Sequence, residues 1–280
     1  MEDDEAGPNA AQIAFWNEAG GAAWAGSVEA LERQILPLGE AALAALGPRP
    51  GERVLDVGCG AGATSLALAE AVGPSGRVVG VDVSRPLLAI AEARGAAVAN
   101  LRFVEADAQT HAFDHGGFDA AFSRFGVMFF DQPVEAFANI RRALRPGGRL
   151  AFVCWRALAE NGWMRVPLAA AMPLLPPMPP PDPEAPGPFA LADPARLEAI
   201  LGAAGFAGLA IRPHDAEIGG NDLDTTVALM LKVGPLGAVL REEPELAPKV
   251  EGAVRDALAP HVRDGAVWLP GAVWIVTARA

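Results

Sequence analysis

From residue 53 onward the apolar positions fall in short, nearly unbroken runs, separated by longer stretches at helical spacing. RVLDVG, VVGVDV, FDAAFS and RLAFVCW are dense in Val, Ala and Phe, the pattern of strands buried on both faces. The spacing predicts strands over 53–57, 77–83, 101–106, 118–123 and 149–155. It predicts helices over 64–72, 86–94 and 133–144, with RPGG as a turn before the 149–155 strand. Strands separated by helices at this interval imply right-handed crossovers and an open, doubly wound α/β sheet. Ligands on such sheets bind outside the carboxyl ends of the strands.

The flanks carry a different pattern. AAQIAFWNEAGGAAWAGSVEALERQILPLGEAALAAL predicts two or three helices broken at Gly20, Gly21 and Pro37, an N-terminal helical cap over 1–46 ahead of a core over 47–280. MPLLPPMPPPDPEAPGP is too dense in proline for helix or central strand and marks a proline-rich insertion over 157–192. A helix over 193–206 follows, with an Asp cap and a first-turn proline, and GLAIRPHDAEI reads as a further strand. Two amphipathic helices, 223–241 and 245–261, form a helical insertion over 220–264 before a strand in GAVWIVTARA. The leading helices and both insertions are expected lids over an apolar pocket, lined by Trp155, Trp163 and Met164.

Composition narrows the classes. The chain has 280 residues, 51% of them hydrophobic and 20% charged, which describes a globular protein rather than a disordered one. No apolar run approaches the roughly 20 residues of a membrane span, and the start MEDDEAGPNA is acidic where a signal peptide is basic, so a cytoplasmic protein is expected. Cys59 and Cys154 have no CxxC or His partner nearby, which predicts reduced thiols and no metal site. A net charge of −12 with scattered basic residues shows no electrostatic footprint for nucleic acid.

The chemistry concentrates in VLDVGCGAGATS. A strand ending at Asp56 and Val57 runs into Gly58, Gly60 and Gly62 and then a helix, a loop that brings bare backbone and a helix N-terminus to a ligand. Gly58, Gly60 and Ala63 also satisfy the dinucleotide pattern G-x-G-x-x-A, so the glycines fit two cofactors. Asp56, two residues before the first glycine, suits an ammonium group better than a pyrophosphate. Asp82, ending VVGVDV, suits the vicinal hydroxyls of a ribose in either cofactor.

Asp56, Gly58, Gly60 and Gly62, with Asp82, the VEADAQ strand end, FDAAFSRFGVMFF and LRPGGRLAFVCW following in order, resemble the class I S-adenosylmethionine-dependent methyltransferase family. The likeness is to its small-molecule type, the group of ubiquinone and menaquinone biosynthesis. It implies a mostly parallel, seven-stranded Rossmann-like sheet with an antiparallel last strand and helical cap insertions. It implies S-adenosylmethionine as cofactor and S-adenosylhomocysteine as product. The implied cofactor residues are Asp56, Gly58, Cys59, Gly60, Asp82 and Val83, with Asp107 and Ala108 at the adenine edge. Ser123, Arg124 and Phe125, after the fourth strand, fall where the family meets the methionine portion and the substrate. Trp16 and Trp24, with Phe15, lie in leading helices of the kind that close over the cofactor.

In-line displacement at a sulfonium methyl asks mainly for alignment and exclusion of water, so no catalytic acid or base is required. His214, beside Asp215, and Arg124 are the catalytic candidates should the acceptor need one. The expected partner is a small molecule, with a homo-oligomer as an open possibility. Two other readings stand beside this one: an NAD(P)-dependent oxidoreductase built on Gly58, Gly60, Ala63 and Asp82, and a non-catalytic module that binds the same cofactor.

Overall fold

The computed structural model describes residues 7–177 and 182–280. The first six residues of the acidic start and residues 178–181 of the proline-rich stretch lie outside the described residues. The leading segment forms α1 (Ala10–Asn17), α2 (Ala19–Ala25) and α3 (Val28–Leu46). Gly20 and Gly21 do not break a helix but sit buried inside α2, because a side chain there would run into the Phe15 ring and the Trp16 carbonyl. The breaks fall instead at Glu18 and at Gly26–Ser27. Pro37 also lies within a helix. Proline inside a helix costs roughly 3 kcal/mol, and α3 offsets it by burying Val28, Leu31, Ile35, Leu38, Ala42 and Leu46 along one stripe.

The apolar runs form β1 (Arg53–Val57), β2 (Arg77–Asp82), β3 (Leu101–Glu105), β4 (Phe118–Arg124) and β5 (Leu144–Trp155). The crossover helices are α4 (Ala63–Val72), α5 (Arg85–Gly95) and α6 (Pro133–Ala143). These five strands pair in parallel in the order β3-β2-β1-β4-β5. RPGG is a bulge rather than a turn before the strand: Leu144 already pairs with Phe118, and pairing resumes with Arg149 against Ala120.

After α7 (Gly162–Ala171) and α8 (Pro194–Ala203), the sheet continues in β6 (Ala207–Asn221). Asp193 caps α8, its carboxylate accepting the Ala195 N–H at 2.9 Å. The expected helix pair before the last strand is three helices, α9 (Leu223–Met230), α10 (Gly234–Glu242) and α11 (Ala247–Leu258), with a 63° bend between the first two. No single helix among the described residues is long and apolar enough to cross a membrane; only the bent α9 and α10, taken together, meet that test.

β8 (Ala266–Arg279) then inserts antiparallel between β5 and β6, and the two-residue β7 (Val262–Arg263) pairs with it, an eighth strand beyond the seven expected. The resulting sheet is mostly parallel with an antiparallel last strand, a Rossmann-like methyltransferase architecture. A dinucleotide fold with order 3-2-1-4-5-6 has no such antiparallel insertion.

α3 lies across β4, β5, β6 and β8. Its end is held by Arg149, which donates to the Leu46 carbonyl at 3.2 Å and grips Glu52 with two hydrogen bonds of 2.8 and 2.6 Å. Burial raises the Glu52 pKa, but the hydrogen bonds from Arg149 and the Arg49 N–H, with the Arg149 charge, outweigh it and hold the carboxyl below its ordinary range. The carboxyl end of α3 is thereby clamped at the amino ends of the strands, and its earlier turns, with Leu31 and Ile35, reach the cavity at their carboxyl ends.

Candidate cofactor and substrate site

Gly58, Gly60 and Gly62 follow β1 in the left-handed region, at φ +68°, +53° and +84°. They are bare for different reasons. A Cβ on Gly58 would stand 2.6 Å from the Gly126 Cα, and one on Gly62 would stand 3.0 Å from both Ala91 and Phe103. Only Gly60 faces open space, its nearest neighbour being Leu87 Cδ1 at 4.0 Å. Close packing explains two of these glycines; room for a ligand explains one.

The loop's donors are directed inward. Gly58 and Cys59 donate to the Val81 carbonyl at 2.9 and 3.1 Å, Gly60 to Asp82 at 2.7 Å, and Gly62 to the Cys59 carbonyl at 3.0 Å. The N–H groups of the three glycines and Cys59 are therefore engaged within the protein.

The strand-end acids behave differently from one another. Asp82 lines the cavity and accepts from Gly60 and Ser84 N–H at 2.7 and 2.9 Å, leaving lone pairs for a diol. Burial raises its pKa, against those backbone hydrogen bonds. Asp107, also in the wall with Ala108, accepts from Asn9 at 3.2 Å and from Gln109 N–H at 2.9 Å. Asp56 does not reach the cavity. It is fully buried, with Oδ2 accepting from the Thr64 and Ser65 hydroxyls at 2.7 and 2.6 Å and Oδ1 without a partner. Burial pushes its pKa up to about 6 despite both hydroxyls and the nearby Arg124 charge. Its direct contact is with the first turn of α4, so an ammonium group would have to be met by other acceptors.

Cys59 and Val83 line the same wall, and burial drives the Cys59 thiol well above its ordinary range, with Asp82 and Asp56 adding to the shift. The wall is closed from above by α1. Asn17 donates to the Val83 carbonyl at 2.8 Å and accepts the Arg85 N–H at 3.0 Å, while Ser84 donates to the Trp16 carbonyl at 2.8 Å. Trp16 meets Trp24 and Phe129 edge-on, at 5.8 and 5.1 Å between ring centroids, and all three line the cavity.

The opposite wall starts where β4 ends. Ser123 is fully buried behind it, accepting the Gly126 N–H at 3.2 Å, and does not line the cavity. Arg124 does. Its Cδ would lie 2.8 Å from a Cβ at position 39, so α3 carries a glycine where the arginine stem crosses it. Glycine in a helix interior costs about 1 kcal/mol relative to alanine. Burial lowers the Arg124 pKa while the Glu32 and Asp56 charges raise it. Phe125 follows at φ +65°, an uncommon conformation for a bulky residue, and stacks on Trp155 at 4.3 Å; Trp155 in turn meets Trp163 at 4.8 Å. Trp155, Trp163 and Met164 all line the cavity.

His214 lies mid-strand in β6 opposite Val273, away from the cavity, and no histidine lines it among the described residues. Sequence reasoning also missed part of the wall: Leu31, Glu32, Gln34 and Ile35 of α3, and Lys232, Gly234 and Arg241 around the α9–α10 bend. The one available signal was Gln34, a polar residue within the apolar stripe of α3 and only 3% exposed.

Residues 54–148 match the methyltransferase domain family. A Streptomyces fradiae transposon protein, described as an uncharacterized 37.1 kDa protein, is 43% identical over 111 residues, covering 39% of this chain and 31% of the relative. The demethylmenaquinone methyltransferase of Staphylococcus aureus is 36% identical over 103 residues, covering 37% of this chain and 43% of the relative, so the chain matches less than half the length of either. Among solved structures, a methyltransferase described as putative from Bacillus halodurans aligns with TM-score 0.56 at 19% identity, covering 86% of this chain and 97% of that one. Phosphoethanolamine N-methyltransferase 2 of Haemonchus contortus aligns with TM-score 0.57 at 18% identity, covering 95% and 59%. With the glycine loop, the ordered strand-end acids and the antiparallel β8, the match identifies residues 54–148 as a methyltransferase domain and supports a resemblance to the class I S-adenosylmethionine-dependent methyltransferases.

Proposed function

We propose that the chain transfers a methyl group from S-adenosylmethionine to a small apolar molecule bound beside the cofactor. The observation that carries this reading is continuity. One cavity of about 460 Å³ runs from Gly58, Gly60 and Asp82 to Trp155, Trp163 and Met164. That volume lies within the roughly 300–1,000 Å³ typical of small-molecule sites. A relative named for demethylmenaquinone methylation is consistent with such an acceptor.

S-adenosylmethionine supplies, when bound, a methyl group activated by its own sulfonium charge. The chain's residues have simpler work. Asp82 would hold the ribose hydroxyls, the Asp107–Ala108 edge the adenine, and the loop from Gly58 to Gly60, with Cys59 and Val83, the body of the cofactor. Trp16, Trp24 and Phe129 would exclude water from above, and the aromatic wall would align the acceptor. Arg124 is the surviving candidate for a direct role beside the reacting groups. His214 has no place in this reading, since it stands outside the cavity. The described parts of the N-terminal cap over 1–46 and of the insertions over 157–192 and 220–264 serve as the lids of the core over 47–280, in a cytoplasmic protein.

The antiparallel β8 between β5 and β6 speaks against an NAD(P) fold, and an open aromatic cavity speaks against a module that only binds cofactor. Calorimetry with S-adenosylhomocysteine and NADH tests the first point: binding of the former alone is expected, and tight binding of NADH alone would overturn the reading. Methyl-labelled S-adenosylmethionine offered with a metabolite extract tests the second. Label is expected in a small-molecule product, and label confined to protein or nucleic acid would contradict the assignment.

A further inference from the structure

The charged groups lining the cavity divide by sign. The acids are already held by the protein: Glu32 pairs with Arg94 at 2.8 Å, Asp82 accepts two backbone N–H groups, and Asp107 accepts from Asn9 and Gln109. The principal cation is not. Arg124 makes no hydrogen bond or ion pair with any described residue, although it is half-buried and its stem is seated against Gly39. Two further donors in the same walls, Gln34 Nε2 and Trp163 Nε1, are buried without a partner. In a chain of net charge −12, a cavity whose acids are each held by a neighbour and whose arginine is unpaired among the described residues is set up for an anionic ligand at that arginine.

Next to Arg124 in the chain the wall is aromatic, with Phe125 stacked on Trp155 and Trp163 beside them. The other cations of the walls, Lys232 and Arg241, belong to the α9–α10 bend, where Arg241 donates to the Lys232 carbonyl at 3.1 Å and lies over the Phe15 ring; beside the aromatic wall stands the one guanidinium fork of Arg124, which matches a single carboxylate. We propose that the methyl acceptor is an apolar carboxylic acid whose carboxylate is bound by Arg124, a step that rests on the methyl-transfer reading above. Arg124 is then the residue that selects acids from neutral molecules of the same shape. Glu32 and Asp56 keep its charge in place, and Gly39 keeps its stem in line.

The cofactor also carries a carboxylate, so the test must separate the two sources. Calorimetry is run on the full chain saturated with S-adenosylhomocysteine, using 2-naphthoate and its neutral analogue 2-naphthamide as probes. The acid is expected to bind about 10- to 100-fold more tightly than the amide, the range for a hydrogen-bonded charge. That preference is expected to vanish in Arg124→Gln and to survive in part in Arg124→Lys, while the affinity for S-adenosylhomocysteine stays the same in all three proteins. Equal binding of acid and amide, or binding of neither, overturns the proposal. So does a loss of S-adenosylhomocysteine affinity in Arg124→Gln, which would assign the arginine to the cofactor. Should Arg124→Gln fail to fold, the Arg124→Lys protein carries the comparison alone, and an undiminished preference for the acid over the amide there counts against the proposal. No methyl transfer is needed for this measurement: an acid preference kept beside a failed label-transfer assay contradicts the proposed function and leaves the carboxylate site standing.

Discussion

The two walls of the cavity are built in opposite ways. The cofactor wall comes mainly from one continuous stretch, residues 57–108, and its polar groups are closed on one another: loop N–H to Val81 and Asp82, Asp107 to Asn9 and Gln109. The acceptor wall is gathered from α3, the end of β4, α7, residues 186–188 and the α9–α10 bend; it leaves Arg124 unpaired among the described residues, with Gln34 Nε2 and Trp163 Nε1 buried without partners. A wall shaped by its own backbone bonds holds one ligand geometry at little ordering cost, whereas a wall with open donors depends on its ligand to complete it.

The strongest way to break this contrast is within the glycine loop. Gly58→Ala sets a methyl against the Gly126 backbone, which cannot swing aside, and adds strain at φ +68°. A loss of about 3–5 kcal/mol in stability is expected, read by denaturant unfolding. Gly60→Ala, with open space at its Cβ, is expected to cost the fold only about 1–2 kcal/mol while sharply weakening S-adenosylhomocysteine binding. Equal unfolding midpoints for the two variants would dissolve the distinction between packing glycine and ligand glycine.

Asp56 sharpens the comparison through pH. Its folded pKa of about 6 lies above the ordinary 3.8, so the folded state holds the proton more tightly than the unfolded chain. Stability is therefore expected to fall as pH rises from about 4 to about 6 and to stay lower above that. Asp56→Asn removes the buried charge, and about 2 kcal/mol of the difference between pH 4 and pH 7 should disappear. An unchanged pH profile in that variant would show that Asp56 is not the group responsible.

The smallest effect is expected at the mouth. Arg241 lies over the exposed Phe15 ring at 5.9 Å, where α10 meets α1 across the opening. Exposed contacts of this kind contribute about 0.5–1 kcal/mol. Arg241→Ala should speed release of S-adenosylhomocysteine by a few-fold in stopped flow with at most a small drop in unfolding midpoint; a release rate equal to that of the parent protein would remove this contact from the lid.

Legibility followed the same division. β1 and the glycine loop were plain from VLDVGCGAG, and the strand ends at Asp82 and near Asp107 followed from the alternation of runs. Asp56 was misplaced because its direction depends on Thr64 and Ser65, which turn its carboxylate into the core rather than toward the cavity. Gly20, Gly21 and Pro37 read as breaks because local preference ignores what tertiary packing can offset; Phe15, Trp16 and the sheet beneath α3 supplied the offset. The α9–α10 bend was hidden in an amphipathic pattern that ran on through it.

By itself the sequence determined the alternating α/β order, the left-handed glycine turn after β1 and the acids at successive strand ends, since hydrophobic period and glycine conformation are local properties. The tertiary structure alone decided that Gly58 is bare for Gly126, that Asp56 faces helix α4, that His214 stands outside the cavity and that Arg124 enters it past Gly39. Each of those outcomes depends on contacts between residues far apart in the chain, and such contacts exist only once α3 and the antiparallel β8 are in place.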